Sequence, residues 1–398
     1  MKIAMMVDSH YPVKDGVVEA IDILRKGLEE RGHEVLLIAP NPGKQNRLEG
    51  VHYISAKKFS VIDNYYLPIF PSGSIFKLKE EEIDVINVHG FAFMAVRGLA
   101  SGKLLKKPVI LTFHTPVWDF IGDYSPLDPG LTLNVGWTYF RSIFKRADIT
   151  VAQTPSIAKE LIRNGVESDI RVIPTGIDIE RFRPGIDGTE IRKRYGIEGK
   201  KVVIHVGRLC LEKRLEILIE AFSKTDENVV LMIVGKGALD AVLKEQVRSL
   251  GLTERVVFTG FVSEEELAMH YAAADMAASS SIHEAQCLAI MNAMACGLPV
   301  VCPNGKAFVD FIETGVNGFL YEATPEGCAK AIRKCLAADP KVGINARTTA
   351  ERYSIPISID SYLEIYEEAI AAKKKELEPR PMQDRVRKAI GARRRKKE

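Results

Sequence analysis

The sequence has six cysteines, Cys210, Cys287, Cys296, Cys302, Cys328 and Cys335, but no Cys-x-x-Cys pair and no Cys/His cluster at ligand spacing. That pattern excludes zinc-ribbon and thioredoxin-type motifs. The thiols read as reduced and mostly buried, the usage of a cytosolic protein. No apolar run approaches the ~18 residues a membrane-spanning helix needs, and the opening run 3–7 is too short and poorly flanked for a secretory signal. Asp-x-Asp occurs nowhere, which removes the usual sequence mark of a metal-bound sugar nucleotide, so neither a metal nor another cofactor is expected. The first strand runs into Asp8-Ser9-His10-Tyr11-Pro12 rather than Gly-x-Gly. Gly235-Lys236-Gly237 carries Asp240 at the third glycine position of a dinucleotide fingerprint, so a nicotinamide-dependent dehydrogenase is disfavoured.

What is present describes a globular chain. Its 398 residues, 46% hydrophobic and 27% charged, have enough apolar surface for two cores of ordinary size. The net charge of +3 conceals an asymmetry: residues 373–398 hold 12 basic and 4 acidic side chains, so this tail carries +8 and the rest of the chain −5. The tail is a separate electrostatic object.

Hydrophobic periodicity gives a repeated strand–helix alternation. Strands are expected over 3–7, 35–39, 85–88, 109–113, 149–152 and 171–173, with a first helix carrying Ala20, Ile23, Leu24 and Leu28 and stopped by Gly32. A second series begins afresh, with strands over 202–206, 229–234, 256–259, 276–278 and 299–302 and helices near 215–223, 239–250, 264–272 and 284–295. The strand runs are continuously apolar, as in parallel sheets buried on both faces. Two Rossmann-like domains in tandem follow, over 1–180 and 181–354, with a helix over 355–372 joining the first domain and a basic tail over 373–398.

Several segments could carry chemistry. Gly207-Arg208-Leu209 follows a strand and Glu212-Lys213-Arg214 opens a helix, where the macrodipole disfavours a cation. An anion shared by Arg208 and Lys213 would account for that choice, with a diphosphate the natural candidate; a solvated charge cluster is the plainer alternative. The run Ser279 to Cys287 leads into the next helix, where serines supply a cap and the first amides make a phosphate or sugar-hydroxyl site. On one continuous helix Glu284 and Asn292 would stand roughly 12 Å apart along a single edge. Gly16 allows close backbone approach to a ligand, or simply makes a turn. His114 ends the strand 109–113 at the carboxyl edge where α/β domains bind ligands, although a lone histidine is more often structural.

Together these segments resemble the retaining glycosyltransferases of the GT-B fold, a family that includes sucrose synthases, phosphatidylinositol mannosyltransferases and diacylglycerol glucosyltransferases. The resemblance rests on Asp15-Gly16-Val17, Arg31-Gly32-His33-Glu34-Val35, Pro174-Thr175-Gly176-Ile177-Asp178, Gly207-Arg208-Leu209 with Glu212-Lys213, and Glu284 through Gly297-Leu298-Pro299-Val300. It implies an α/β GT-B fold: two Rossmann-like domains facing a central cleft, with a C-terminal helix returning toward the N-terminal domain.

It also implies site roles. Arg208 and Lys213 become a diphosphate clamp, Gly16 the glycine that approaches the phosphates, Glu284 a contact to the donor sugar, and His114 a neighbour of the transferred sugar. Ala285, Gln286, Cys287, Leu288 and Asn292 complete the donor-binding set. The implied reaction retains anomeric configuration without a bound metal, from a UDP- or GDP-linked donor. Asn292 stands where the family usually has a second glutamate at the ribose hydroxyls, and Cys287 where it usually has glycine; on this view Asn292→Glu would tighten donor binding. Asp15-Gly16-Val17, Phe113-His114-Thr115 and Glu284-Ala285-Gln286 look most like enzymes that glycosylate diacylglycerol-type lipids. The basic tail and the aromatic stretch Tyr65 to Phe70 would suit a lipid acceptor on an anionic membrane surface, giving a cytoplasmic, peripherally bound enzyme. Transfer to a soluble sugar or glycan, and a decayed sugar-nucleotide module whose tail binds nucleic acid, are the alternatives; nucleic acid is the less expected partner.

Overall fold

The computed structural model of the chain describes residues 1–13, 15–58, 66–69, 73–114 and 129–378, with 129–134 as backbone only. Residues 379–398, which hold most of the basic tail, lie outside this set, as do Tyr65, Phe70, Thr115 and Pro116.

Two parallel sheets form the molecule. The first has the order β3 (Val51–Ile54), β2 (Glu34–Pro40), β1 (Lys2–Val7), β6 (Val85–His89), β7 (Val109–Phe113), β8 (Ile149–Ala152), β9 (Ile170–Val172), with a small antiparallel pair, β4 (Ala56–Lys58) and β5 (Tyr66–Pro68), beside it. The second has the order β12 (Val256–Gly260), β11 (Val229–Val234), β10 (Lys201–Val206), β13 (Met276–Ala278), β14 (Val300–Pro303), β15 (Gly318–Tyr321). Both begin at an inner strand, wind outward, then return past it. That doubly wound order leaves a crevice at the strands' carboxyl ends, between β1 and β6 and between β10 and β13. All six residues of β11 and all five of β7 are buried, which is why their sequences are apolar without alternation.

Local chemistry sets the element ends. Helix α1 (Gly16–Glu30) starts where the Asp15 carboxylate accepts from the Val17 and Val18 amides, each at 3.0 Å. Its apolar stripe, Val18, Ile21, Leu24 and Leu28, faces the first sheet. Helix α2 (Pro155–Arg163) is capped by Thr154. Four further helices, α3 (Leu215–Phe222), α4 (Glu264–Ala272), α5 (Leu288–Ala295) and α6 (Phe308–Phe311), belong to the second lobe.

The chain crosses between the lobes twice at nearly one point. Ile177 bridges Ser354, and the last helix, α7 (Ile355–Leu377), then returns to the first sheet. Gly27 of α1 lies so close to α7 that a Cβ there would sit 2.5 Å from Ile359 Cδ1. Asn87 of β6 donates to the Tyr366 hydroxyl at 2.6 Å, and Ile359, Tyr362, Ile365 and Tyr366 join the core made by β1 and α1. This helix runs five residues beyond the expected 372, and Lys373 at its far end pairs with Asp148 of the first lobe at 3.4 Å. Among the described residues no helix is long and apolar enough to cross a membrane.

Candidate functional site

A cavity of about 660 Å³ lies between the two crevices, walled by α1 and the ends of β7 and β8 on one side and by the ends of β10 and β13 with α5 on the other. Gly16, His114, Arg208, Lys213, Glu284, Ala285, Gln286, Cys287, Leu288 and Asn292 all line it.

Lys213 does not open a helix. It closes a 3-10 turn, Leu211–Lys213, and Arg214 adopts a left-handed conformation (φ 49°) before α3 begins at Leu215. Ser280 and Ser281 hold this turn by donating their hydroxyls to the Lys213 and Glu212 carbonyls at 2.8 and 3.1 Å. They therefore do not cap α5, the use expected of serines just before a helix. The Lys213 ammonium reaches the Glu284 carboxylate at 2.5 Å. Burial works against its charge, but Glu284, helped by Cys287 and Cys210, more than offsets that and holds the ammonium above its ordinary pKa. Arg208 is exposed toward the cavity and pairs with Glu212 at 3.6 Å. Two cations thus face the cavity from the carboxyl end of β10, each with a carboxylate behind it.

The neighbouring Gly235-Lys236-Gly237 has a packing reason. A Cβ at Gly235 would strike the Gly207 carbonyl, and one at Gly237 the Leu209 backbone, so the glycines let the β10 and β11 loops cross.

Helix α5 starts at Leu288, four residues later than its apolar pattern and leading glutamate suggest. Cys287 is left-handed (φ 64°), which breaks the helical run, and the residues before it are spent on other contacts. Glu284 is taken by Lys213, and Ala285 inserts into the core of the first lobe. Gln286 is a two-point tie between lobes: its Oε1 accepts from Thr175 N at 2.7 Å and its Nε2 donates to Thr175 O at 2.9 Å. The Glu284–Asn292 edge is therefore not one helix. Burial pushes the Cys287 thiol up to about 12.

On the facing wall, Gly16 is the first residue of α1, and among the described residues a Cβ there would meet only Leu288 Cδ1, at 3.8 Å. Packing against the described residues does not demand glycine. His114 stacks on His89 with ring centroids 5.2 Å apart, and His114 Nε2 lies 2.9 Å from His89 Nδ1. Gln153 Nε2 stands 3.5 Å from His114 Nδ1. Burial lowers the His114 pKa to about 4 and that of His89 well below its usual value, so both rings are neutral near pH 7.

Some cavity residues left no mark in the sequence. His205 is one: its Nδ1 lies 3.1 Å from the Ala278 carbonyl and burial lowers its pKa to about 4. Glu19 of α1 and Arg181 with its partner Glu264 are others. Such contacts join segments far apart in the chain, so no local pattern announces them.

Comparison with known proteins agrees with this architecture. Residues 14–181 match the family model described as Glycosyltransferase Family 4, and residues 187–351 match Glycosyl transferases group 1. A GDP-mannose-dependent alpha-mannosyltransferase of Corynebacterium glutamicum is 30% identical, over 81% of this chain and 77% of its own. The alpha-monoglucosyldiacylglycerol synthase of Streptococcus pneumoniae is 28% identical, over 88% of this chain and 81% of its own. Among solved structures, Anabaena HepE in complex with UDP superposes with a TM-score of 0.76 at 22% identity, covering 92% of this chain and all of that one. The doubly wound lobes, the returning helix and these matches together assign the chain to the GT-B glycosyltransferases of group 1 and family 4.

Proposed function

We propose that the protein moves a hexose from a nucleotide diphosphate sugar to an acceptor hydroxyl with retention of configuration and without a bound metal, the acceptor being a membrane glycerolipid. The observation that carries this reading is the cation pair at the end of β10. Arg208 and Lys213 face one cavity wall with Glu212 and Glu284 behind them, while Gly16 leaves backbone open on the other.

As the bond from the sugar's anomeric carbon to the diphosphate breaks, negative charge grows on the departing phosphate. Two cations already held in place stabilise it without reorganising at that moment. The acceptor oxygen bonds the anomeric carbon on the face the diphosphate leaves, and its proton passes to a departing phosphate oxygen. Neutral His114 offers a hydrogen bond to a sugar hydroxyl rather than charge, and Glu284 orients Lys213. The donor class is supported by the GDP-mannose-dependent relative. A glycerolipid acceptor is supported by the monoglucosyldiacylglycerol synthase and by the basic residues of 379–398.

The test is incubation with UDP- and GDP-hexoses, offered a bacterial lipid extract and a set of soluble sugars as acceptors in excess EDTA, followed by NMR of the product's anomeric proton. An α-linked glycolipid from an α-linked donor is expected. Transfer only to soluble sugars would reject the lipid acceptor, and a β-linked product would reject retention.

A further inference from the structure

His205 stands in β10, two residues before Gly207 and three before Arg208, and lines the cavity while only 3% exposed. Its Nδ1 lies 3.1 Å from the Ala278 carbonyl at the end of β13. A carbonyl can only accept, so Nδ1 carries the hydrogen, and in the neutral ring Nε2 is a bare acceptor. Among the described residues Nε2 is buried without a hydrogen-bond partner. The buried residues before it in the strand, Val202, Val203 and Ile204, are aliphatic, and packing alone asks for no second polar atom at this position.

The space in front of Nε2 gives a reason for one. A Cβ on Gly207 would sit 3.4 Å from His205 Nε2 and 3.9 Å from Lys213 Cε, with no other described residue beyond its chain neighbours within 4 Å. The glycine therefore leaves a niche bounded by the imidazole nitrogen and the lysine stem, at the strand end where Arg208 and Lys213 face the cavity.

What two cations draw to that niche is an anion, and a bare nitrogen repels an anionic oxygen unless a proton lies between them. Burial is the main influence against that proton and Lys213 adds to it, holding the ring near pKa 4, while the Ala278 carbonyl and Glu284 favour it. Arg208, Glu212 and Lys236 are the other charged groups of this wall. A phosphate set against the ring tips the balance toward the imidazolium.

We propose that His205 is a third contact to the diphosphate, and the one that carries a proton, Nε2 sharing it with a phosphate oxygen of the nucleoside diphosphate seated at Gly207. The proposal rests on the reading of the cleft as a nucleotide-sugar site and adds the destination of the proton. In turnover the acceptor O–H breaks as its oxygen bonds the anomeric carbon. The proton passes to the departing phosphate oxygen and from there to Nε2, and returns to water when the product leaves.

The experiment is calorimetric titration with UDP, GDP and ADP at pH 7.0 in buffers of different ionisation heat, which counts the protons taken up with whichever nucleotide binds. Cations alone lower the pKa of a bound phosphate and shed protons, so they give the opposite sign. His205→Asn offers an N–H to the Ala278 carbonyl and lacks Nε2. With the ring raised by about three units on contact, wild type should take up about half a proton more than this variant. Its affinity should also fall about tenfold, relative to the variant, between pH 6 and 8. His205→Phe, which keeps the ring's volume, should behave as His205→Asn does. Equal proton uptake by wild type and either folded variant, with nucleotide bound to both, overturns the proposal and leaves the nucleotide-sugar reading standing. Failure of wild type to bind any of the three nucleotides sinks both.

Discussion

The Lys213 ammonium and the Glu284 carboxylate, 71 residues apart in sequence, meet at 2.5 Å on the floor of the cleft, with side chains only 23% and 11% exposed. Neither is free of the other, so removing one leaves a mostly buried charge behind. Lys213→Ala should therefore cost stability as well as turnover, on the order of 1 to 3 kcal/mol. The double variant Lys213→Ala/Glu284→Ala should regain much of the stability and none of the turnover. Urea denaturation of the four proteins of this cycle measures the coupling; additive losses would show that the pair is not a unit.

Cys287 holds a left-handed conformation that costs an L-residue about 1 to 2 kcal/mol, and glycine would adopt it freely. Cys287→Gly should keep or raise the melting temperature despite the lost side chain. With its pKa pushed up to about 12, the Cys287 thiol should also alkylate far more slowly at pH 7.5 than a free cysteine. Rapid labelling by iodoacetamide at this position would contradict the assigned environment.

His114 and His205 are held near pKa 4 by burial, and His89 is lowered in the same direction. Unfolded histidines titrate near 6.5. Between pH 6.5 and about 4 the unfolded chain binds protons the folded chain refuses, so stability falls as pH falls through that window. Each ring contributes up to about 1.4 kcal/mol per pH unit. Denaturation at pH 7.5 and 5.0 should show the loss, and His205→Leu should reduce it; equal slopes in the two proteins would remove His205 from the account.

Helix α7 ends at Leu377, so a chain ending at Glu378 keeps the whole of that helix and removes 9 basic and 2 acidic residues. At about 1 kcal/mol for each basic residue that reaches an anionic surface, sedimentation with phosphatidylglycerol vesicles should drop by orders of magnitude while the fold is unchanged. Equal sedimentation of the two proteins would discard the tail as an anchor.

The central strands were legible because burial on both faces leaves an unbroken apolar run, as in Val229–Val234. The edge strands Val51–Ile54 and Gly318–Tyr321 were not, because they are only partly buried and His52 and Gly318 interrupt the apolar run. The site was legible where one segment held it, as at Gly207-Arg208-Leu209. It was misread where local pattern and tertiary contact conflict. The run after Glu284 looks helical, but Lys213, Thr175 and the first-lobe core claim Glu284, Gln286 and Ala285 before the helix can begin.

The central claim is that Arg208 and Lys213 stabilise a diphosphate as it leaves the sugar. The most direct measurement is the rate at which Arg208→Ala/Lys213→Ala releases nucleoside diphosphate from the sugar nucleotide that wild type uses, in excess EDTA and with folding checked by circular dichroism. Each charge-assisted phosphate bond contributes roughly 1.5 to 3 kcal/mol, so the double variant should be slower by at least two orders of magnitude. A folded double variant turning over at the wild-type rate, or a wild type that works only when magnesium or manganese is restored, would contradict the account.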